Sequence, residues 1–363
     1  MEQFEQRLTL PISSAELFEW HRRPGAFERL GPSWQRLEIV SRSGGTVEDG
    51  ARLHFRAYEG PLWINWVARH EDFEPGRQFV DVAERSPFAA WRHVHAFESV
   101  EQGAQLIDRV SYRLPLHPIS RVVAGFAVRK TLTQMFRQRH VRTCNDLRRH
   151  AAVRGHGSKR LARYGAGGLL HDHFGAFWTT GGNALVSESQ GQRAEVIVEF
   201  DAGLLGATPG SASRVDEAAL EGGEVFIHVG GRDAAESPSL ALARGRGLRV
   251  VRLVTEEIVC RLHPRLRQLA RVSGGFIDFD DLLALIHHAA FTPTLEGEVG
   301  AALGQLPESF EPDFPEAARS VAHQRGQADE GAIERALARW SSSARGQDGA
   351  TQLTSAESAP TAP

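Results

Sequence analysis

Residues 119–150 read ISRVVAGFAVRKTLTQMFRQRHVRTCNDLRRH, and the reading of this stretch decides the fold. Ile119, Val122, Val123, Phe126, Leu132, Met135, Phe136 and Leu147 recur at helical spacing with arginines between them, so one long amphipathic helix is predicted. Such a helix must bury its apolar face against something, and the sequence before it supplies a sheet. FEQRLTL (4–10) puts Phe4, Leu8 and Leu10 on one face of a strand. Ser13-Ser14-Ala15-Glu16 is a capping box ahead of Leu17, Phe18 and Trp20, which starts a short helix. A second short helical piece, AFERL, follows Pro24-Gly25. WQRLEIV, ARLHFRAY, PLWINWVARHEDF, RQFVDVAE, FAAWRHVHAF and AQLIDRVSYRL then alternate as strands, separated by Gly, Pro, Asp or Ser clusters, and suggest a meander of antiparallel hairpins. A curved sheet wrapped on a long helix encloses a cavity.

The 363 residues are enough for two domains that each bury a core. No run near 20 apolar residues is present, so no transmembrane segment is expected. The opening MEQFEQRLTLP lacks the basic flank and apolar run of a secretory signal, and a cytoplasmic location is expected. Cys144 and Cys260 stand far apart without metal-ligand spacing, and both are read as core thiols in a reducing compartment. Between Arg121 and Arg163 the only acid is Asp146. That Arg-rich stretch is read as a solvated helix face, with a docking surface for polyanions or membranes as the alternative. No specific nucleic acid is expected as a partner.

The strings LPISSAELFEWHRRPGAFERLGPSW, VSRSGG, GPLWINWVARHEDFEPGRQFVDV, PFAAWRHVHAFE and DRVSYRLPL, in that order of elements, resemble the SRPBCC, or START-like, superfamily. The likeness is to the form that precedes an epimerase-like domain in some bacterial proteins. It implies an α+β helix-grip domain over residues 1–152 that takes a small apolar or amphipathic ligand such as a lipid, quinone or polyketide.

A linker at 153–160 leads into RLARYGAGGLLHDHFGAFWTTGGNALV, which reads as strand, glycine turn, helix and strand, the start of a dinucleotide-binding unit. VDEAALEGGEVFIHVGG reads as a helix followed by a buried strand, GLRVVRLV as another buried strand, and GGFIDFDDLLALIHHAAF as a helix capped within Asp278 to Asp281. These strings resemble the NAD-dependent epimerase branch of the extended short-chain dehydrogenases over 161–305, as an incomplete α/β Rossmann-like domain. A helical extension at 306–340 and a disordered tail at 341–363 are expected to follow.

The resemblance implies NAD(P) as cofactor, with Gly165, Gly167, Gly168, His228 and Gly230 as the remnant of its site. Two departures count against nucleotide binding. His171 stands where the family's last glycine lets the helix approach the sheet, so the helix is expected to be pushed off; Arg163 replaces an apolar strand residue. The family's catalytic Tyr and the Lys four residues later are absent, since no Tyr or Lys occurs from Gly165 to Pro363. Only SPSLALARGRG separates the Gly231 region from VVRLV, where the family places its catalytic helix, so a strand and helix are expected to be missing from mid-sheet. An open strand edge there would favour a homo-oligomer.

In the first half, Trp91, His93, His95 and Phe97 share one face of their strand, Trp66 lies on another inward face, and Tyr112 on a third. These six are the predicted ligand cavity. His93 and His95 could orient a carbonyl or phenol, or exchange protons near neutral pH. No catalytic residue is assigned, because the sequence places no oriented carboxylate beside them, although Asp108 is an in-strand acid on the Tyr112 face. Two His at spacing two can chelate, but no third ligand is evident, and no metal site is expected. The leading reading is a binding protein with an inactive epimerase-like scaffold; the alternatives are an NAD(P)-dependent or cyclase-like enzyme, or an interaction protein using the Arg-rich helix.

Overall fold

The computed structural model describes residues 1–32, 35, 37–59, 62–115, 119–165, 167–186, 193–201, 215–231, 237–254, 279–300, 309–310 and 331–341. Cys260, Asp278, residues 311–330 of the expected extension and the tail beyond 341 lie outside them.

Local signals set the first elements. The Ser13 side chain accepts from Glu16 N at 3.1 Å and starts α1 (Ser14–Arg22), a cap that stabilises by about 1 kcal/mol. Helix α2 (Ala26–Leu30) follows at once. Around them β1 (Glu2–Leu10), β2 (Leu37–Ser43), β3 (Arg52–Glu59), β4 (Leu62–Glu74), β5 (Gln78–Arg85), β6 (Ala90–Val100) and β7 (Gly103–Arg113) form one antiparallel sheet in the order β1-β7-β6-β5-β4-β3-β2. β2 to β7 follow the sheet in chain order, as a hairpin meander does, and β1 closes on β7.

Helix α3 (Ile119–Val153) is a single element of 35 residues. Leu132 and Phe136 sit 40° apart at about 100° per residue and are buried against Phe4, Trp91, Val110 and Tyr112. Phe126 departs from the expected apolar face and is 82% exposed. It lies about 120° round the helix from Leu132, off the seam that meets the sheet. The side chains of Ile119, Val122 and Val123 lie outside the described residues.

The C-terminal half of α3 corrects the solvated-face reading. Gln138, His140, Arg142, Asn145, Asp146, Arg148 and His150 are all buried there. The helix has partners on more than one side. Val141, Cys144 and Leu147 pack with Leu8, Leu10 and Trp20, and also with Ala332 and Ala336 of α7 (332–341), which returns from the far end of the chain. The expected extension is therefore part of the first half's core, and helix continues through Ser341.

The second sheet is parallel, built from β8 (Arg160–Gly165), β9 (Ala184–Leu185), β10 (Val196–Phe200), β11 (Val225–Gly230), β12 (Arg249–Val254) and β13 (Gly297–Gly300) in the order β13-β12-β11-β10-β8-β9. Helices α4 (Leu169–Thr180) and α6 (Phe279–Phe291) bury Phe174, Phe177, Trp178, Leu282, Leu285 and Ile286 with Val198, Ile227 and Leu253. Helix α5 (Pro238–Gly245) buries Leu240 and Ala243 with Ile197, Phe226 and Val250 in a separate cluster. Strands buried on both faces read as near-continuous apolar runs, which is why VFIHVG and VVRLV stood out.

Two expectations about this half are corrected. The short SPSLALARGRG connection leaves no gap, because β11 pairs β12 directly from Val225↔Arg249 to Gly230↔Val254, with α5 between them in the chain. Nor is α4 pushed off the sheet. His171 turns its ring edge-on to Phe200 at 5.7 Å, and Gly175 supplies the close approach: a Cβ there would lie 2.3 Å from Arg163 Nη1. That guanidinium donates to the His171 carbonyl at 2.6 Å, so the half-buried Arg163 fastens strand to helix.

The two sheets are tied through buried charge. Arg29, 1% exposed, bonds Asp146 through two contacts of 2.8 Å and Asp280 at 2.9 Å. Arg142 pairs with Asp280 at 2.9 Å and donates to the carbonyls of Arg29 and Gly31. His150 Nε2 donates to the Phe177 carbonyl at 3.0 Å. Gly25, in the left-handed region at φ +93°, starts α2 against α4, and a Cβ there would lie 2.7 Å from Ala176 Cα.

Candidate functional site: a histidine and aspartate cluster at the end of an aromatic cavity

Strand register assembles the site. His70 on β4 stands opposite Asp81 on β5, and Asp81 opposite His93 on β6, so one row crosses three strands. Two residues along β6, His95 stands opposite Asp108 on β7. Residues paired this way share a face of the sheet, which is the face turned to α3. From α3, His140 Nε2 donates to Asp108 Oδ2 at 2.7 Å.

Asp108 is the hub. His93 Nε2 donates to its Oδ1 at 2.9 Å, and His95 Nδ1 lies 3.0 Å from the same oxygen. Asp81 is the second carboxylate. His95 Nε2 donates to its Oδ2 at 3.3 Å, His93 Nδ1 lies 3.8 Å from that oxygen, and His70 Nε2 lies 2.9 Å from Oδ1. The His93 and His95 rings are 3.8 Å apart, and Phe79 stacks on His95 at 4.3 Å.

These contacts divide the charge. Burial opposes ionisation of Asp81 and Asp108, but the surrounding imidazoles outweigh it and hold both well below the usual carboxylate range. Burial likewise opposes the His95 cation, yet its contacts with Asp108 and Asp81 lift it to about 9. His93 goes the other way, down to about 4, through burial and the neighbouring His95 charge. His70 is raised, since Asp81 outweighs burial. The two neighbouring rings are therefore pushed in opposite directions, with His95 the one that favours the cation.

A cavity of about 350 Å³ opens onto this cluster. Trp66, Trp91, His93 and His95 line it, joined by Asp81, His21, His70, Phe79 and Arg139. Trp66 meets Trp91 edge-on at 5.2 Å and Phe55 in a stack at 6.0 Å, which makes part of the wall aromatic. Phe97 and Tyr112 are not among the lining residues. Phe97 is packed behind Phe18 of α1 at 5.3 Å, and Tyr112 behind Phe88 at 5.6 Å, so neighbours fill the space their inward phase would open. Arg139 of α3 also lines the cavity; its Nε donates to the Leu30 carbonyl at 3.2 Å, and burial lowers its pKa.

Asp81, His70, His140 and Arg139 were not singled out from the sequence. For Asp81 a signal existed, an acid between Val80 and Val82 in a strand, but nothing in the sequence says which residue of β6 it will face.

In the second half the strand order turns at β8 and β10, the place where open α/β sheets take nucleotides. Gly165 ends β8 at φ +85°, and a Cβ there would lie 2.0 Å from the Phe200 carbonyl oxygen. Gly168 is the N-cap of α4, with Gly167 just before it. His228 lies two strands away, buried inside β11 opposite Glu199 and Arg252, and burial pulls its pKa to about 4. Gly230 follows at the end of β11. A neutral, enclosed imidazole at this position is built as a core residue.

Comparison with known proteins gives the class of fold. The chain resembles a nucleoside-diphosphate sugar epimerase from Corynebacterium glutamicum with a TM-score of 0.63 and 20% identity, over 93% of this chain and 83% of that one. At that identity the likeness is one of fold: a mixed α/β protein with an antiparallel and a parallel sheet. A Thermus thermophilus protein matches with 15% identity across 39% of this chain and 94% of its own, at a TM-score of 0.30. An AHSA1-like protein from Aeromonas hydrophila matches with 12% identity across 35% and 85%, at 0.26. No protein-family profile and no curated protein matches the sequence. Among the described residues no helix is long and apolar enough to cross a membrane.

Proposed function

We propose that this protein binds a small apolar or amphipathic ligand, of lipid, quinone or polyketide type, between the sheet and long helix of a START-like helix-grip domain spanning 1–152. Residues 161–305 form an incomplete Rossmann-like domain that serves as scaffold without epimerase or reductase activity.

One observation carries the reading: a cavity of about 350 Å³ whose wall includes Phe55, Trp66, Phe79 and Trp91 beside the polar cluster of Asp81, His93 and His95. An apolar wall with a few convergent polar groups is how small-molecule sites are built, since the wall supplies affinity and the polar end orientation. Ile64, in the lining, is also 40% exposed, which gives the cavity a way in. For the second half, the support is chemical: no Tyr and no Lys follow Tyr164, so the proton-transfer pair of the epimerase family has no residues to form it.

The test uses 1-anilinonaphthalene-8-sulfonate as the probe. Saturable, single-site fluorescence enhancement is expected, and Ala57→Trp, which puts an indole into the space that Ala57 lines, should weaken it at least ~10-fold. Equal binding by a folded Ala57→Trp protein would refute the cavity as the site. Calorimetric titration with NAD(H) and NADP(H) should show no heat of binding at about millimolar cofactor; binding would overturn the scaffold reading.

A further inference from the structure

We propose that Asp81, His93 and His95 form the binding site of one divalent transition-metal ion, seated at the polar end of the cavity. The ion is inferred from ligand geometry and holds whether or not an apolar ligand occupies the rest of the space.

Each of the three residues offers one ligand atom, and these atoms all lie within 4.8 Å of one another. Asp81 Oδ2 is 3.3 Å from His95 Nε2 and 3.8 Å from His93 Nδ1. Two atoms each about 2.1 Å from a common ion are about 3.4 Å apart at the tetrahedral angle, so both Asp81 contacts stand within a few tenths of an ångström of that spacing, and the two rings close on the ion from a spread of at most 4.8 Å.

The other ends of the side chains face groups that suit the outer partners of a metal site. His93 turns Nε2 to Asp108, which leaves Nδ1 for the ion; His95 holds Nδ1 3.0 Å from Asp108, and the ion takes the place of the proton that its Nε2 shares with Asp81. Asp81 presents Oδ1 to His70 and keeps Oδ2 for the ion. Ligating imidazoles that lean on a carboxylate, and a ligating carboxylate that is itself supported, are the usual outer partners of bound zinc or iron. Asp108 is anchored in turn by His140.

Asp81 Oδ1 and His95 Nδ1 are buried atoms without a hydrogen bond of good geometry, although each has an oppositely charged neighbour near 3 Å. Two imidazole nitrogens and one carboxylate oxygen suit zinc, iron(II), cobalt(II) or manganese(II) better than calcium or magnesium. All three ligands line the cavity, so the remaining coordination positions face it.

The experiment strips the full-length protein with chelator and titrates it with Co(II), then Zn(II). One equivalent should bind, with visible cobalt absorption, no thiolate charge-transfer band, and displacement by zinc. His93→Gln and Asp81→Asn should each lose at least ~100-fold in affinity, and Asp108→Asn, which touches only the ligands, ~10–100-fold. His156→Ala, at an exposed histidine, should change nothing. Far-UV circular dichroism of the metal-free proteins checks that the variants fold. X-ray absorption of the zinc-loaded wild type needs no variant and should show scattering from two imidazoles. Binding weaker than about 100 µM for both ions, unchanged binding in folded His93→Gln, or fewer than two imidazoles would overturn the site.

Discussion

Asp280→Ala should destabilise the protein by about 3 kcal/mol and loosen one half of the chain from the other. The magnitude follows from the buried charges between α2, α3 and α6. Arg29 and Arg142, 1% and 3% exposed at the side chain, share the carboxylates of Asp146 and Asp280. Removing one carboxylate leaves two buried guanidiniums on the other. Breaking a buried pair costs about 3–5 kcal/mol because the stranded charge has lost its solvation, and Asp146 keeps the loss at the lower end. Asp280 behaves as such a partner: burial alone would raise its pKa, but Arg142 and Arg29 outweigh it and hold the group ionised. With a urea dependence near 3 kcal/mol per molar, the unfolding midpoint should fall by about 1 M. The assay is equilibrium unfolding followed by tryptophan fluorescence and by far-UV circular dichroism. Wild type should give coincident curves, whereas Asp280→Ala should separate them as the parallel-sheet half unfolds first. A midpoint shift under about 0.3 M would refute the claim that this cluster couples the halves.

Acid should weaken the protein before its carboxylates begin to titrate. His21 and His287 are buried and neutral, with burial as the main cause of pKa values near 3 against an ordinary 6.5. A lowered histidine leaves the unfolded chain holding the extra proton, so stability is full above pH 6.5 and falls as the pH drops toward 3. From pH 6.5 to 5 each ring costs about 2 kcal/mol at 1.36 kcal/mol per unit, and urea midpoints at the two pH values check it. His95, raised to about 9, acts in the opposite sense but only above 6.5, outside this window. His287→Leu should remove about 2 kcal/mol of the pH dependence; an unchanged slope would count against a neutral His287. Gly165→Ala should cost about 3 kcal/mol, from a left-handed backbone and a Cβ 2.0 Å from the Phe200 carbonyl oxygen, and a thermal midpoint within a degree of wild type would contradict that close approach.

Much of the architecture was legible because it is written in short periods. The Ser13 cap, the alternating strands and the apolar runs of β11 and β12 are local signals, and each marks an element of the structure. Long α3 was legible as a helix and misread as to its surroundings. A helix with a single partner shows one apolar stripe, whereas the end of α3 is enclosed by the sheet, α7 and the second half, and meets them with paired polar groups such as Arg142 with Asp280 and His150 with the Phe177 carbonyl. Burial of that kind leaves no hydrophobic period to read. His171 was misjudged because a sequence alignment fixes positions and not rotamers: the ring tips toward Phe200 while Gly175, a turn further on, takes up the approach.

The sequence by itself determined the two sheets, the helix that closes the first, the lack of a Tyr and Lys pair, and that Trp91, His93 and His95 share one strand face, since each depends on residue type and spacing along one segment. Tertiary structure alone decided that Asp81 stands opposite His93, that Asp108 stands opposite His95, and that His140 reaches Asp108 from a helix. Strand register is set by how whole faces pack and how the turns close, and a slip of one residue would have turned both carboxylates away from the cavity.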